Sequence, residues 1–302
     1  MPSNPNRLDL EAFNYLGNKR FWVDLWKEIQ RDDCWGMAAR LSFYFILAFF
    51  PFLIFISALI GFVPVDPDLL SKILLEMETF LPEKTYTWVR DFTIDLVNSQ
   101  DSGVVSIGIL LALWWASTAF RGMIGVLNRA LAISETRRYL KVHLLAIGVT
   151  ILVSLFVITS GVLLFLGDWL IQLLMQNITV DPYPSFQAHL HAIYSASRWI
   201  LLFGFLNVGM QIVYCSLPAQ RLVWTLVSPG SVIASFCWSL GSRSFAFFVN
   251  RLVGFETYQR LYGSLASLIL LMLWLYLSSF FLLLGGEINS EIFRLRKAAA
   301  RG

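Results

Sequence analysis

The sequence predicts an all-α membrane protein: a six-span transmembrane helical bundle with amphipathic helices on its surfaces. Three observations carry that expectation. Six runs contain no Asp, Glu, Lys or Arg: 41–65, 102–120, 142–167, 199–220, 222–242 and 261–286. A helix needs roughly 20 apolar residues, at about 1.5 Å each, to cross about 30 Å of hydrocarbon. The composition is 57% hydrophobic and only 14% charged, where a soluble domain carries about 25% charge. Basic residues, finally, gather at alternate connections.

Residues 1–40 read as a cytoplasmic N-terminal segment. Within it Trp22, Leu25, Trp26 and Ile29 recur at helical spacing, with Lys19, Arg20, Lys27 and Arg31 flanking or opposing them. That pattern suits an amphipathic interfacial helix, tryptophans at headgroup depth and cations toward anionic lipid. The alternative packs the same stripe beneath the bundle. The transmembrane domain covers 41–286. Its first run holds Pro51 near its middle, where a missing amide kinks a membrane helix and can shape a cavity.

The connection at 66–101 is too long for a turn. Leu69, Leu70, Ile73, Leu74 and Met77 form one apolar stripe, and Val89, Phe92 and Leu96 form another beyond Pro82. Two short amphipathic helices are expected there, capping the outer face. Asp181 to Pro184 mark a turn, and Pro229-Gly230 interrupts the start of the fifth run. Residues 287–302, with Arg294, Arg296, Lys297 and Arg301, read as a basic cytoplasmic tail.

The charge distribution sets an orientation. Arg121, Arg129, Arg137, Arg138 and Lys141 follow the second run, whereas 168–197 has no Lys or Arg. With the basic ends, this is the positive-inside pattern for six spans and two cytoplasmic termini. Arg251 and Arg260, in the fifth connection, run against the pattern without changing its parity. Cys34, Cys215 and Cys237 are odd in number and widely spaced, which fits neither a disulfide framework nor a zinc site. No cofactor or metal motif is visible.

Polar groups in apolar spans must face protein or water, so they mark candidate function. Ser117, Arg121, Gly125 and Asn128 share one face of the second span; Gly204, Asn207, Gln211 and Tyr214 share one face of the fourth. Arg243 lies near the outer end of the fifth, and Glu287 closes the sixth. An Arg at the bilayer centre costs about 2.5–3.5 kcal/mol on the insertion scale, so one held there needs a reason. Ser117, Arg121, Asn128, Asn207, Gln211, Tyr214, Arg243 and Glu287 are therefore the candidate polar pathway, with Glu287 and Arg121 able to pair. The competing reading is helix association, worth about 1 kcal/mol per interhelical hydrogen bond.

The order of these features resembles a known family. Ala38-Ala39-Arg40-Leu41-Ser42-Phe43-Tyr44 followed by Pro51 is similar to the opening motif of the YihY/BrkB family of bacterial inner-membrane proteins. Trp115-Ala116-Ser117, Asn128, Glu135 and Arg137-Arg138 resemble its second-span signature. Tyr214 with Pro218, and Pro229-Gly230 with Trp238, resemble later blocks. Tyr262-Gly263-Ser264-Leu265, Trp274-Leu275-Tyr276 and the residues from Gly285 to Asn289 resemble the closing signature. The resemblance covers roughly residues 20–290 and implies a multi-pass protein of the bacterial inner (plasma) membrane. The family has carried a ribonuclease label and a name that refers to resistance to host killing.

The ribonuclease chemistry finds no support in the residues. Metal-assisted phosphodiester cleavage needs clustered His or carboxylate ligands. The histidines are His143, His189 and His191, and the last two fall in the outer connection. A non-enzyme is expected, with the lipid bilayer and a small-molecule solute as partners and no nucleic acid. The first reading is a transporter or exporter of a small, anionic or nucleotide-like solute. The alternative is a non-transporting scaffold or envelope-integrity protein. Reporter fusions after Arg138 and after Gly302 should both read cytoplasmic, and one near Asp181 should read outside; a cytoplasmic signal at Asp181 overturns this topology.

Overall fold

The computed structural model describes residues 10–62, 102–177, 184–219, 227–249 and 265–299, with positions 87, 90, 91 and 225. A 3-10 helix, Leu10–Gly17, precedes α1 (Lys19–Arg31), α2 (Cys34–Phe62), α3 (Ser102–Ala130) and α4 (Tyr139–Asn177). Then come α5 (Pro184–Ser216), α6 (Pro229–Phe247) and α7 (Leu265–Ala299). Three described stretches are long and apolar enough to cross a membrane: Ile109–Ala130, Tyr139–Gly161 and Leu268–Ala299. Cys34–Phe49 and Ile200–Ser216 are shorter apolar helical stretches. The two helices expected in 66–101 lie outside the described residues, apart from helical positions 87, 90 and 91.

Each of the helices from α2 to α7 packs on its successor, and α7 returns to α2, so the neighbours close into a ring. Across that ring α3 also touches α7. One apolar cluster threads all six, through Leu41 of α2, Ile124 and Leu127 of α3, Val149 of α4, Val213 of α5, Ala234 of α6 and Leu282 of α7. Pro51 sits inside α2, which continues past it to Phe62.

α6 begins with the residues that halt the preceding run. Ser228 is its N-cap, in a reciprocal capping box with Ser231, and Pro229 takes the first helical position. There its missing amide costs no hydrogen bond and its fixed φ suits the helix. The fifth helix therefore starts at Pro229, not at residue 222, and Pro229-Gly230 initiates it rather than interrupting it. Gly230 and Gly285 mark the crossing of α6 and α7. A Cβ on Gly230 would overlap the Gly285 carbonyl, and one on Gly285 would press on the Gly230 carbonyl and Ala234. Only bare backbone fits there.

The N-terminal stripe divides. Phe21, Leu25 and Ile29 are buried at one end of the bundle, called the basal end below, while Trp22 and Trp26 stay exposed. The buried three pack with Met37 and Ala38 of α2, Val126 of α3, and Leu283, Ile288 and Ile292 of α7. The contact beneath the bundle thus forms, and the tryptophans occupy its outer edge.

The same contact corrects the last segment. Residues 287–299 are not a tail, because α7 runs unbroken to Ala299 and Ile288 and Ile292 are fully buried. Its basic residues serve the contact: Arg294 bonds Glu28 of α1 at 2.8 Å and Glu291 at 2.9 Å. Apolar residues spaced between the charges let the helix persist. Leu25→Ala should cost about 2–5 kcal/mol, read as a fall in Tm in detergent. Trp26→Ala should stay within about 0.5 kcal/mol. Equal losses would place the docking face elsewhere on α1.

Candidate functional site

The densest polar cluster lies where α5, α6 and α7 meet at the basal end. Asn207 and Gln211, one turn apart on α5, are 5% and 1% exposed. Asn207 Nδ2 donates to Ser231 Oγ at 3.1 Å. Gln211 Nε2 donates to Thr225 Oγ1 at 3.1 Å, and its Oε1 accepts from Ser228 Oγ at 2.7 Å. Asn289 of α7 completes the set. It donates to Ser228 Oγ at 3.1 Å and accepts from the Gly230 amide at 2.9 Å. Tyr214, one turn beyond Gln211, donates to the Leu282 carbonyl of α7 at 2.7 Å.

Local sequence explains why these groups converge. The cap that starts α6 leaves Ser228 and Ser231 side by side at its first turn. The Gly230–Gly285 crossing brings α7 close enough for Asn289 to reach that turn. The spacing of Asn207, Gln211 and Tyr214 keeps all three on the α5 face toward α6 and α7.

A second node ties α3 to α5. The chain leaves α3 through Ala132, at a φ of 52°, with Ile133 N donating to the Asn128 carbonyl at 2.8 Å. That is a left-handed helix end, here without the usual glycine. Asn128 then donates to Glu135 Oε2 at 2.8 Å and accepts from the Ala219 amide at 2.7 Å. Arg137 grips both oxygens of Glu135, at 2.6 and 2.8 Å, and donates to the Leu217 carbonyl at 2.9 Å. The Arg137 hydrogen bonds outweigh the burial that opposes them and hold the Glu135 carboxyl down at about 2.

The remaining candidates stand apart from these nodes. Ser117 is buried and donates back to the Trp114 carbonyl of its own helix at 2.7 Å. Arg121, half-buried, donates to Thr118 Oγ1 of its own helix at 2.7 Å. Arg243 is exposed on α6. Glu287 is fully buried, with Cys34 Sγ donating to one oxygen at 3.4 Å and the other oxygen unpartnered. The Glu287–Arg121 pair does not form, because Glu287 points to the start of α2 and Arg121 toward α4. Asn207, Gln211 and Tyr214 are brought together; Arg121, Asn128 and Glu287 are not added to them.

A model of the family described as Virulence factor BrkB matches residues 25–302. This chain belongs to the BrkB family. Its relatives include YfkH of Bacillus subtilis (strain 168), whose name calls it ribonuclease-like. YfkH is 30% identical over 277 residues, which cover 92% of this chain and 96% of YfkH. A UPF0761 membrane protein of Tolumonas auensis is 22% identical over 280 residues, 92% of this chain and 86% of that one. Another UPF0761 membrane protein, of Acinetobacter baylyi, is 24% identical over 281 residues, 89% and 61% of the two chains. No solved structure matches the chain.

Several anchoring residues of this BrkB-family protein escaped the sequence pattern. Ser228 and Thr225 look like ordinary loop residues until α6 starts beside them. Asn289 and Glu135 stood in the family signatures with no role attached. Glu135 also gives the second node a pH dependence. Its folded-state value, about 2, lies below the ordinary one near 4.3. The stability it adds is therefore fully present above about pH 4.3 and is lost as pH falls through 2. Amide exchange of residues 131–138 should accelerate over that window in the wild type, and Glu135→Gln should exchange fast already at neutral pH. A variant protected like the wild type would remove Glu135 from the anchor.

Proposed function

We propose that this protein is a six-span inner-membrane transporter that exports a small solute, with the α5–α6–α7 polar layer as its basal closure. Six long helices that follow the six uncharged runs support the span count. The carrying observation is the layer itself: two amides and four hydroxyl or amide partners are joined by hydrogen bonds between side chains, and Tyr214 adds a bond to the Leu282 carbonyl of α7. Interhelical bonds of this kind are worth about 1 kcal/mol each in a membrane protein, so water or a polar solute can replace them at small cost. An apolar seal at the same depth would gain nothing from a solute. The anionic or nucleotide-like class rests on the family resemblance and the basic residues expected at the cytoplasmic mouth.

The ribonuclease-like name belongs to YfkH. Among the described residues no group of three or more His, Cys, Asp or Glu side chains is placed to hold a metal ion. The scaffold reading has one observation in its favour: every polar atom of Asn207, Gln211 and Asn289 that would be buried alone has a partner, as simple helix packing requires.

Metabolite profiling inside and outside cells separates the two. Cells making the wild type should release a polar metabolite that cells lacking it retain. Asn207→Ala with Gln211→Ala should change that release at unchanged abundance of the protein. Identical profiles with and without the protein would sink the transport reading and leave the scaffold.

A further inference from the structure

On the outward side of the bundle, between α3 and α4, two polar side chains lack the partners their chemistry demands. Arg121 uses one N–H on Thr118, while its Nε is buried and unpartnered. Among the described residues no carboxylate stands within ion-pair distance of it. His143, in the first turns of α4, is 1% exposed, and both ring nitrogens are buried without a partner. The Tyr139 carbonyl, one turn back, approaches the ring without completing a hydrogen bond, and the Arg121 charge lies within electrostatic reach. A buried donor left unmade costs about 1–3 kcal/mol, more when it is charged. Arg121 on α3 and His143 on α4 lie within electrostatic reach of each other, and an anionic acceptor would satisfy both, pairing with the guanidinium and accepting from an imidazole N–H.

The surroundings say which anion. Trp114 and Tyr139 flank the imidazole, with ring centroids 4.6 and 4.4 Å from it. Both rim rings are exposed, at 46% and 74%, so the site opens away from the ring of helices. Leu110, Leu111, Leu140 and Leu144 are exposed beside the rim, as acyl chains would require. Arg138 and Lys141 open α4 with no carboxylate partner among the described residues. Tryptophan, tyrosine and cations around one site are the composition of the membrane–water interface. A guanidinium fork matches phosphate oxygens.

We propose that Arg121 and His143 form a docking site for the phosphate of an anionic phospholipid, rimmed by Trp114 and Tyr139. The phosphate accepts from Arg121 Nε and from an imidazole N–H once either rim ring rotates aside, and the acyl chains lie along the exposed leucines. This site is separate from the α5–α6–α7 layer and stands whether or not that layer gates a solute.

Native mass spectrometry of the full chain in detergent tests it, with phosphatidylglycerol, phosphatidylcholine of the same acyl chains, and inorganic phosphate as probes. Phosphatidylglycerol should bind in preference to phosphatidylcholine, and Arg121→Gln should weaken it roughly tenfold or more, as loss of a charged hydrogen bond implies. His143→Gln should weaken it in the same direction. Should Arg121→Gln fail to fold, Arg121→Lys and His143→Gln carry the test. Wild-type binding of phosphatidylglycerol by the folded variants overturns the site. Displacement of bound phosphatidylglycerol by inorganic phosphate at equal concentration also overturns it, because the site would then serve a free anion.

Discussion

No side chain fits between α6 and α7 where Gly230 faces Gly285, and the basal half of the bundle depends on that contact. In a bilayer the helices gain little from hiding apolar surface from one another, since lipid is equally apolar. Close backbone approach and hydrogen bonds carry the association instead. The crossing supplies the first and permits the second. It lets Asn289 bond the Gly230 amide and Ser228 together. Through Ser228 the α7 helix is coupled to Gln211 of α5.

Below the crossing, the character of the packing changes. The lower part of α7 leaves the ring and meets α1, where Leu25 and Ile29 cover Ile288 and Ile292. Charges line the margin of that contact, with Arg294 bridging Glu28 and Glu291. Arg294 is a third exposed and both carboxylates are largely buried, and the apolar stripe packs beside these pairs. α1 therefore holds the ends of α2 and α7 together as a clamp, while the crossing above it holds α6.

The polar groups of the bundle fall into two physical classes. Asn207, Gln211, Asn128 and Tyr214 are buried with partners, and each cross-links a pair of helices or loops. Arg121 Nε, both ring nitrogens of His143 and one oxygen of Glu287 are buried without them. Burial of an unpaired polar group is expensive, which sets the second class apart from the first.

By itself the sequence determined that this is a helical membrane protein. Freedom from charge over a length that spans a bilayer is a local property, and so is the helical face shared by Asn207, Gln211 and Tyr214. The Gly285-Gly286 pair likewise marked small residues at the end of the sixth run, whereas Pro229-Gly230 read as an interruption until the capping box at Ser228 showed it starting α6. Which residues meet was decided only by tertiary structure. A face on a helix wheel does not say which neighbour it turns toward, so Arg121 and Asn207 could look like one cavity until α3 and α5 took separate places in the ring. Helix ends were hidden for the same reason. Charge content suggested that α7 stops at residue 286, but the α1 surface waiting beneath makes a continued helix the lower-energy course for residues 287–299.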